Sequence, residues 1–231
     1  GTSSLGTPFV VNAVDWPTEL ANNARTGTIL EPFSPVLSLK WKILSQKRFS
    51  SPIVYQGVVF VTSPDCLFAF ESYTGQKLLE YCPTWPSLSQ MIPTPPAASE
   101  NGFVVFAVKD KIYALDLTPG NSLIKYSYTF SGALNFSTFA LEKETLYGVV
   151  KTTSGNTLFA LRDNGTAPPS LLWKKPVPVF ANPAISGNKL YLNVGVTGLS
   201  AFNIQTGQEV WTQGVNTTNP LAVPNPAPVV S

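Results

Sequence analysis

The chain has 231 residues, 44% of them hydrophobic and only 12% charged, with a formal net charge of +2. That hydrophobic share excludes an intrinsically disordered chain, and the scattered, nearly balanced charge excludes a nucleic-acid footprint; the one short basic cluster (Lys40, Lys42, Lys47 and Arg48) reads as a solvated face. Histidine is absent, which removes the Ser-His-Asp triad, the commonest metal ligand and the physiological-pH switch together.

Residues 1–36 follow no repeating pattern, and Trp16-Pro17 and Gly27 mark them as a loop-rich arm. Residues 37–43 (Leu-Ser-Leu-Lys-Trp-Lys-Ile) read as the last strand of an incomplete repeat, with Leu39, Trp41 and Ile43 as its pairing residues. Four units with one grammar follow. A small residue and proline open three of them: Ser51-Pro52, Thr94-Pro95 and Asn182-Pro183. A turn with Gly57, Gly102 or Gly187 then leads into an apolar strand: Val58–Val61, Phe103–Phe106, Leu146–Val149 and Leu190–Leu192 in the four units. A second strand carries an alanine between larger residues: Ala69, Ala114, Ala160 and Ala201, spaced 45, 46 and 41 apart. A turn glycine comes next (Gly75, Gly120, Gly165, Gly207), and then an apolar or aromatic residue of a further strand (Leu79, Ile124, Trp173, Trp211).

Three or four strands in about 44 residues, without a helical period anywhere, is the size of one β-propeller blade. One blade cannot bury its own faces, so several must stack. The expected fold is therefore all-β, a propeller over 37–215 with four full blades plus one composite or incomplete blade from the chain ends. Residues 216–231, with prolines at 220, 224, 226 and 228, read as a tail or closing strand. Ala227-Pro228-Val229-Val230 looks like the opening of another repeat, with Pro228 placed 45 residues after Pro183. Closure within one molecule, strand exchange between molecules and a plain linker all remain open at this point.

The pattern Pro-x₄-Gly-x-Val/Leu-Tyr/Phe, Leu-Tyr/Phe-Ala-Leu/Phe, Thr-Gly-x₃-Trp resembles the pyrroloquinoline-quinone (PQQ) dehydrogenase-like β-propeller repeat. Pro183 through Trp211 is the clearest copy, and the copies together cover about residues 50–214. The resemblance implies the fold, but its functions range from quinoprotein dehydrogenases to assembly scaffolds and extracellular binding proteins. Quinoprotein dehydrogenases hold quinone and calcium with a carboxylate set, a catalytic aspartate and an adjacent-cysteine disulfide, in a ring of about eight blades. Here Cys66 and Cys82 are not adjacent, and the acidic residues lie apart; the close pair Glu142 and Glu144 reads as an exposed turn. No catalytic residue, metal ligand or cofactor is expected.

Other features point outside the cell. Asn135, Asn164 and Asn216 head N-glycosylation sequons, each at a predicted turn or in the tail. Cys66 and Cys82 are expected to pair and staple two strands of one unit. No apolar run reaches the roughly 18 residues that span a bilayer, and the start at Gly1 reads as a mature or trimmed terminus. Trp85, in the proline-rich stretch between units, is the candidate for a surface contact; Trp41, Trp173 and Trp211 read as blade packing. The expected function is that of a non-catalytic secreted glycoprotein, structural or adhesive, whose partner is a second copy or an extracellular protein or glycan. The alternatives are a receptor-like ectodomain and, remotely, a quinoprotein or carbohydrate-active enzyme.

Overall fold

The structure, a computed structural model, describes residues 17–18, 39–83, 93–117, 123–165, 167–195 and 198–214. Trp85, Asn216, Pro228, Val229 and Val230, and nearly all of residues 1–38, lie outside them.

Each repeat forms one antiparallel sheet whose strands pair in chain order, except that β9 of the third pairs beside β10 on the edge of β11. The first contains β1 (Ile53–Tyr55), β2 (Val58–Thr62), β3 (Leu67–Glu71) and β4 (Lys77–Tyr81). The second contains β5 (Ala97–Ser99), β6 (Phe103–Val108), β7 (Lys111–Asp116) and β8 (Ile124–Thr129). The third is built from β9 (Ala133–Phe136), β10 (Ala140–Glu142), β11 (Thr145–Thr152), β12 (Gly155–Asn164) and β13 (Ala167–Val177). In the fourth are β14 (Ala184–Ser186), β15 (Lys189–Asn193), β16 (Leu199–Asn203) and β17 (Glu209–Gln213). The opening strands β1, β5, β10 and β14 lie side by side in that order, so the sheets radiate from a shared inner edge like blades.

The alanine of the repeat explains how the blades stack. In every sheet it stands in register between two larger residues, giving the rows Phe60–Ala69–Leu79, Val105–Ala114–Tyr126, Tyr147–Ala160–Trp173 and Tyr191–Ala201–Trp211. All four alanines are completely buried. A methyl group there leaves a trough between two ridges, into which the next blade's side chains pack. The ladder shifts register immediately after each alanine, and such a bulge adds the extra twist that turns the outer strand relative to the inner one. Three apolar layers result. Phe60 and Ala69 meet Phe106 and Leu115 between the first two blades. Ala114 and Tyr126 meet Phe159 and Leu161 in the next layer, and Tyr147 and Ala160 meet Leu190 and Phe202 in the last.

Three expectations need correction. Residues 39–43 form no strand with any described residue, and Leu39 and Ile43 are exposed. The alternating pattern is present, yet no described strand stands beside them to accept their hydrogen bonds. Asn135 is not in a turn: it lies half-buried in β9, opposite Lys151 of β11. The third blade is also larger than its repeat suggested. Its strands β11, β12 and β13 run 8, 10 and 11 residues, with prolines 168, 169 and 176 on the outermost strand, where a missing N–H is tolerated.

Cys66 and Cys82 form a disulfide with Cα atoms 4.2 Å apart, joining the residue before β3 to the residue after β4. Closing a loop of 16 residues stabilises by about 3 kcal/mol in the chain-entropy account. Reduction is therefore expected to lower the unfolding free energy by about that much, read as a shifted urea midpoint with and without a thiol reductant.

Candidate assembly site at the blade edges

Tryptophan and the turn glycine of the following repeat form a latch between successive blades. Trp173, on the outer strand β13, donates its indole N–H to the carbonyl of Ile204, 3.0 Å away in the turn between β16 and β17. Its ring covers Gly207, so closely that a Cβ there would lie 2.6 Å from the ring. Gly207 also has φ +67°, which favours glycine on its own account. Trp41 repeats the arrangement at the first blade. Its N–H bonds the Ser72 carbonyl at 2.9 Å, and a Cβ on Gly75 would lie 2.7 Å from its ring. In both latches the carbonyl lies 31 residues after the tryptophan. Trp41 therefore occupies the place of an outer-strand tryptophan belonging to a preceding blade.

Trp211 holds the equivalent position on β17, but it is 38% exposed and its ring contact is with Tyr191 of its own blade, at 6.0 Å. Buried packing was the expectation for Trp41, Trp173 and Trp211. The structure makes Trp173 a half-buried bridge between the third and fourth blades, sets a half-buried Trp41 over the first blade's turn, and leaves Trp211 without a following blade among the described residues.

Between the second and third blades the connection is ionic. Lys125 of β8 reaches Asp163 at the end of β12, with Nζ to Oδ2 at 2.8 Å and side chains 20% and 4% exposed. Asp163 also accepts the Gly165 N–H at 2.8 Å, and the lysine ammonium stands 4.6 Å from the centre of the Phe103 ring. The sequence marks Asp163-Asn-Gly165 as a plain hairpin turn; nothing local signals the lysine 38 residues earlier.

The remaining candidate residues are dispersed. Asn164 is exposed and closes β12, its side-chain N–H groups bonding the Pro168 carbonyl and Ser170 Oγ, both at 2.7 Å. The sequon serine after Asn135, Ser137, is 2% exposed and accepts the Val149 N–H at 2.8 Å, so its hydroxyl is part of the fold. Glu144 is exposed and pairs with Arg162 at 3.7 Å. Among the described residues the one close group of potential metal ligands is Cys66, Glu80 and Cys82, and both sulfurs are engaged in the disulfide. A hollow of about 10 Å³, room for one water, lies beside Thr94 and Asn135. Pro17 reaches the inner strand of the second blade, where its carbonyl accepts the Ala98 N–H of β5 at 2.8 Å.

No family model and no curated protein matches the chain. Solved structures do. BamB from Moraxella catarrhalis aligns at 15% identity and TM-score 0.55 over 75% of this chain and 51% of its own. Quinohemoprotein alcohol dehydrogenase from Comamonas testosteroni aligns at 15% identity and TM-score 0.66, over 89% of this chain and 42% of its own. The fold is a PQQ-like β-propeller. The chain spans about half the length of these two proteins. The computationally designed Ika4 protein, by contrast, is covered over 93% of its length, at 14% identity and TM-score 0.54. At these identities the likeness speaks for the PQQ-like fold alone.

The electrostatics of this propeller predict a wide pH plateau. No histidine is present and both cysteines are in the disulfide, so no side chain of ordinary pKa titrates between about pH 5 and 8. Burial, reinforced by the charge of Asp163, holds the Tyr126 phenol well above its usual value of 10.0. The unfolded chain therefore ionises first, and the stability tied to Tyr126 is fully present below pH 10 and lost as pH rises beyond it. At the acid end the Thr212 hydroxyl holds Glu209 below its usual 4.5, assisted by Ser200 and Lys175, and that stability is lost as pH falls below about 4.5. Urea midpoints measured from pH 4 to 11 should be flat across the middle, and Tyr126→Phe should flatten the alkaline limb.

Proposed function

We propose that this chain is a non-catalytic secreted glycoprotein whose blades serve as a structural, self-assembling scaffold. The observation that carries the reading is the latch: Trp211 offers an outer-strand indole without a described blade to receive it, and Trp41 fills the first blade's turn from a segment that pairs with no described strand. A contact that recurs from one repeat to the next suits association with further blades. The sequons at Asn135, Asn164 and Asn216, with Asn164 exposed, and the disulfide favour an oxidising, extracellular setting. Because the Ser137 hydroxyl is consumed by the fold, a glycan at Asn135 must be added before the third blade closes. Among the described residues no group of three or more carboxylates gathers that could hold a quinone's calcium ion.

The test is expression through a eukaryotic secretory pathway. Glycopeptide mapping should find sugar on Asn164, and sedimentation should show association that strengthens with concentration. Unmodified sequons and a protein that stays a single chain at high concentration would overturn the reading. Turnover of an alcohol after addition of quinone and calcium, with a dye acceptor, would replace it with an enzymatic one.

A further inference from the structure

The two ends of the Cys66–Cys82 disulfide differ. Cys66 is 1% exposed and fixed in the turn between β2 and β3: its N–H donates to Ser63 Oγ at 3.1 Å, and its carbonyl accepts the Ser63 N–H at 2.7 Å. Cys82 stands one residue beyond β4, outside the ladder, and is exposed. Thiol–disulfide exchange proceeds by attack of a thiolate on one of the two sulfurs, and access decides which. A thiol arriving from solvent therefore meets Cys82, and Cys66 becomes the leaving group.

That leaving sulfur has a cation beside it. Lys47 points its ammonium at Cys66 Sγ, donating to it at 3.7 Å, and the same ammonium stands 5.2 Å from the centre of the Phe68 ring on β3. Two carboxylates flank it, Asp65 at 3.8 Å and Glu80 at 4.0 Å, but each has a nearer partner. Glu80 pairs with Lys77 at 2.7 Å, and Asp65 accepts the Ser63 hydroxyl at 2.6 Å. The charges of Lys47, Lys77, Asp65 and Glu80 balance, so the site presents no net negative charge to repel a thiolate. An ammonium at hydrogen-bond distance favours a thiolate over a thiol, and a sulfur stabilised in that form leaves faster.

We propose that this disulfide is a thiol-exchange site, at which a small thiol of the glutathione type adds to Cys82 and releases Cys66 as a thiolate held by Lys47. The incoming thiolate forms a new S–S bond with Cys82 Sγ, the Cys66–Cys82 bond breaks, and its electron pair stays on Cys66. The proton shed by the small thiol goes to solvent. One sulfur is oxidised as another is reduced, so the step needs no further oxidant or reductant. The turn keeps Cys66 in place, so its thiolate attacks Cys82 in return, expelling the small thiol and restoring the staple; a second small thiol completes the reduction instead. The β3–β4 ladder, which ends at Leu67 and Tyr81, still joins the two strands while the staple is open. The site is independent of self-assembly.

Glutathione added to the intact protein tests it, with acid quenching at early times, alkylation of free thiols in denaturant and peptide mapping. Glutathione should appear on Cys82 and the alkyl group on Cys66, in about tenfold excess over the reverse, whereas in urea the two cysteines should share it about evenly. Lys47→Gln should slow the first step about threefold through the poorer leaving group, and Lys47→Arg should recover most of the rate. The slowing should be equal for glutathione and for the cationic thiol cysteamine. Glutathione spread evenly over both cysteines of the folded protein overturns the site, as does a native disulfide that resists glutathione at concentrations that open it in urea. If Lys47→Gln, shown folded by its thermal melt, is cleaved at the wild-type rate, or is slowed with glutathione alone, the lysine does not hold the leaving thiolate and the proposal fails.

Discussion

Trp173→Ala is expected to lower the unfolding free energy by about 3 kcal/mol, a large fraction of the stability of a domain this size. Truncating a buried tryptophan costs about 3–5 kcal/mol, and the half-exposure of this one puts it at the lower end. Two losses combine. The Ile204 carbonyl loses the indole N–H at 3.0 Å, and the ring that fills the space over Gly207 disappears from the junction of the third and fourth blades. The neighbours cannot collapse into the gap, because Gly207 has no side chain to extend and Tyr147, 6.0 Å away, is fixed in its own row. Trp211→Ala is the control. Exposed, and with no described blade to cover, it should cost under about 1 kcal/mol in the single chain. Urea unfolding with unchanged denaturant slope reads both. Equal costs for the two variants would show that the latch contributes nothing beyond having a tryptophan on an outer strand.

Asp163→Asn should cost a similar amount, about 3 kcal/mol, by a different route. The substitution keeps the shape and keeps Oδ1 to accept the Gly165 N–H. It removes the negative charge facing Lys125, whose ammonium is then left 80% enclosed with no counter-charge at 2.8 Å. Breaking one member of such a pair is far more costly than replacing both. Lys125→Met with Asp163→Asn should therefore recover most of the loss, since the methionine retains the stem packed near the Phe103 ring. A double variant as unstable as Asp163→Asn alone would mean that the turn, and not the ion pair, holds the second and third blades together.

These two junctions also show where sequence reading succeeds and where it stops. The latch is half legible. Tryptophan and glycine recur at fixed places in the repeat, so both were marked, but as blade packing and hairpin chemistry. That they belong to one contact follows only when the blades stand next to each other: the glycine is empty space for an indole from the neighbouring repeat. A constant separation of 31 residues from indole to carbonyl is the signal that could have connected them, because a repeat of nearly fixed length keeps inter-blade distances in register. Lys125 and Asp163 leave no such signal. They occur once, in different repeats, and their pairing depends on the bulge after Ala114 and the long β12, neither of which a propensity or period can place.

The sequence by itself determined the all-β class, the position of the four described blades, the place of the four alanines and the pairing of Cys66 with Cys82. These depend on alternation, turn glycines and short loop closure, all of which act within one repeat. The tertiary structure alone decided that residues 39–43 form no strand with a described partner, that Asn135 lies inside a strand, that Trp173 bridges the third and fourth blades and Trp41 caps the first blade's turn, and that Trp211 is partly exposed. The physical reason is the same throughout. A strand and a latch each need a partner from another part of the chain, and a local pattern records what a residue offers without recording what stands opposite it.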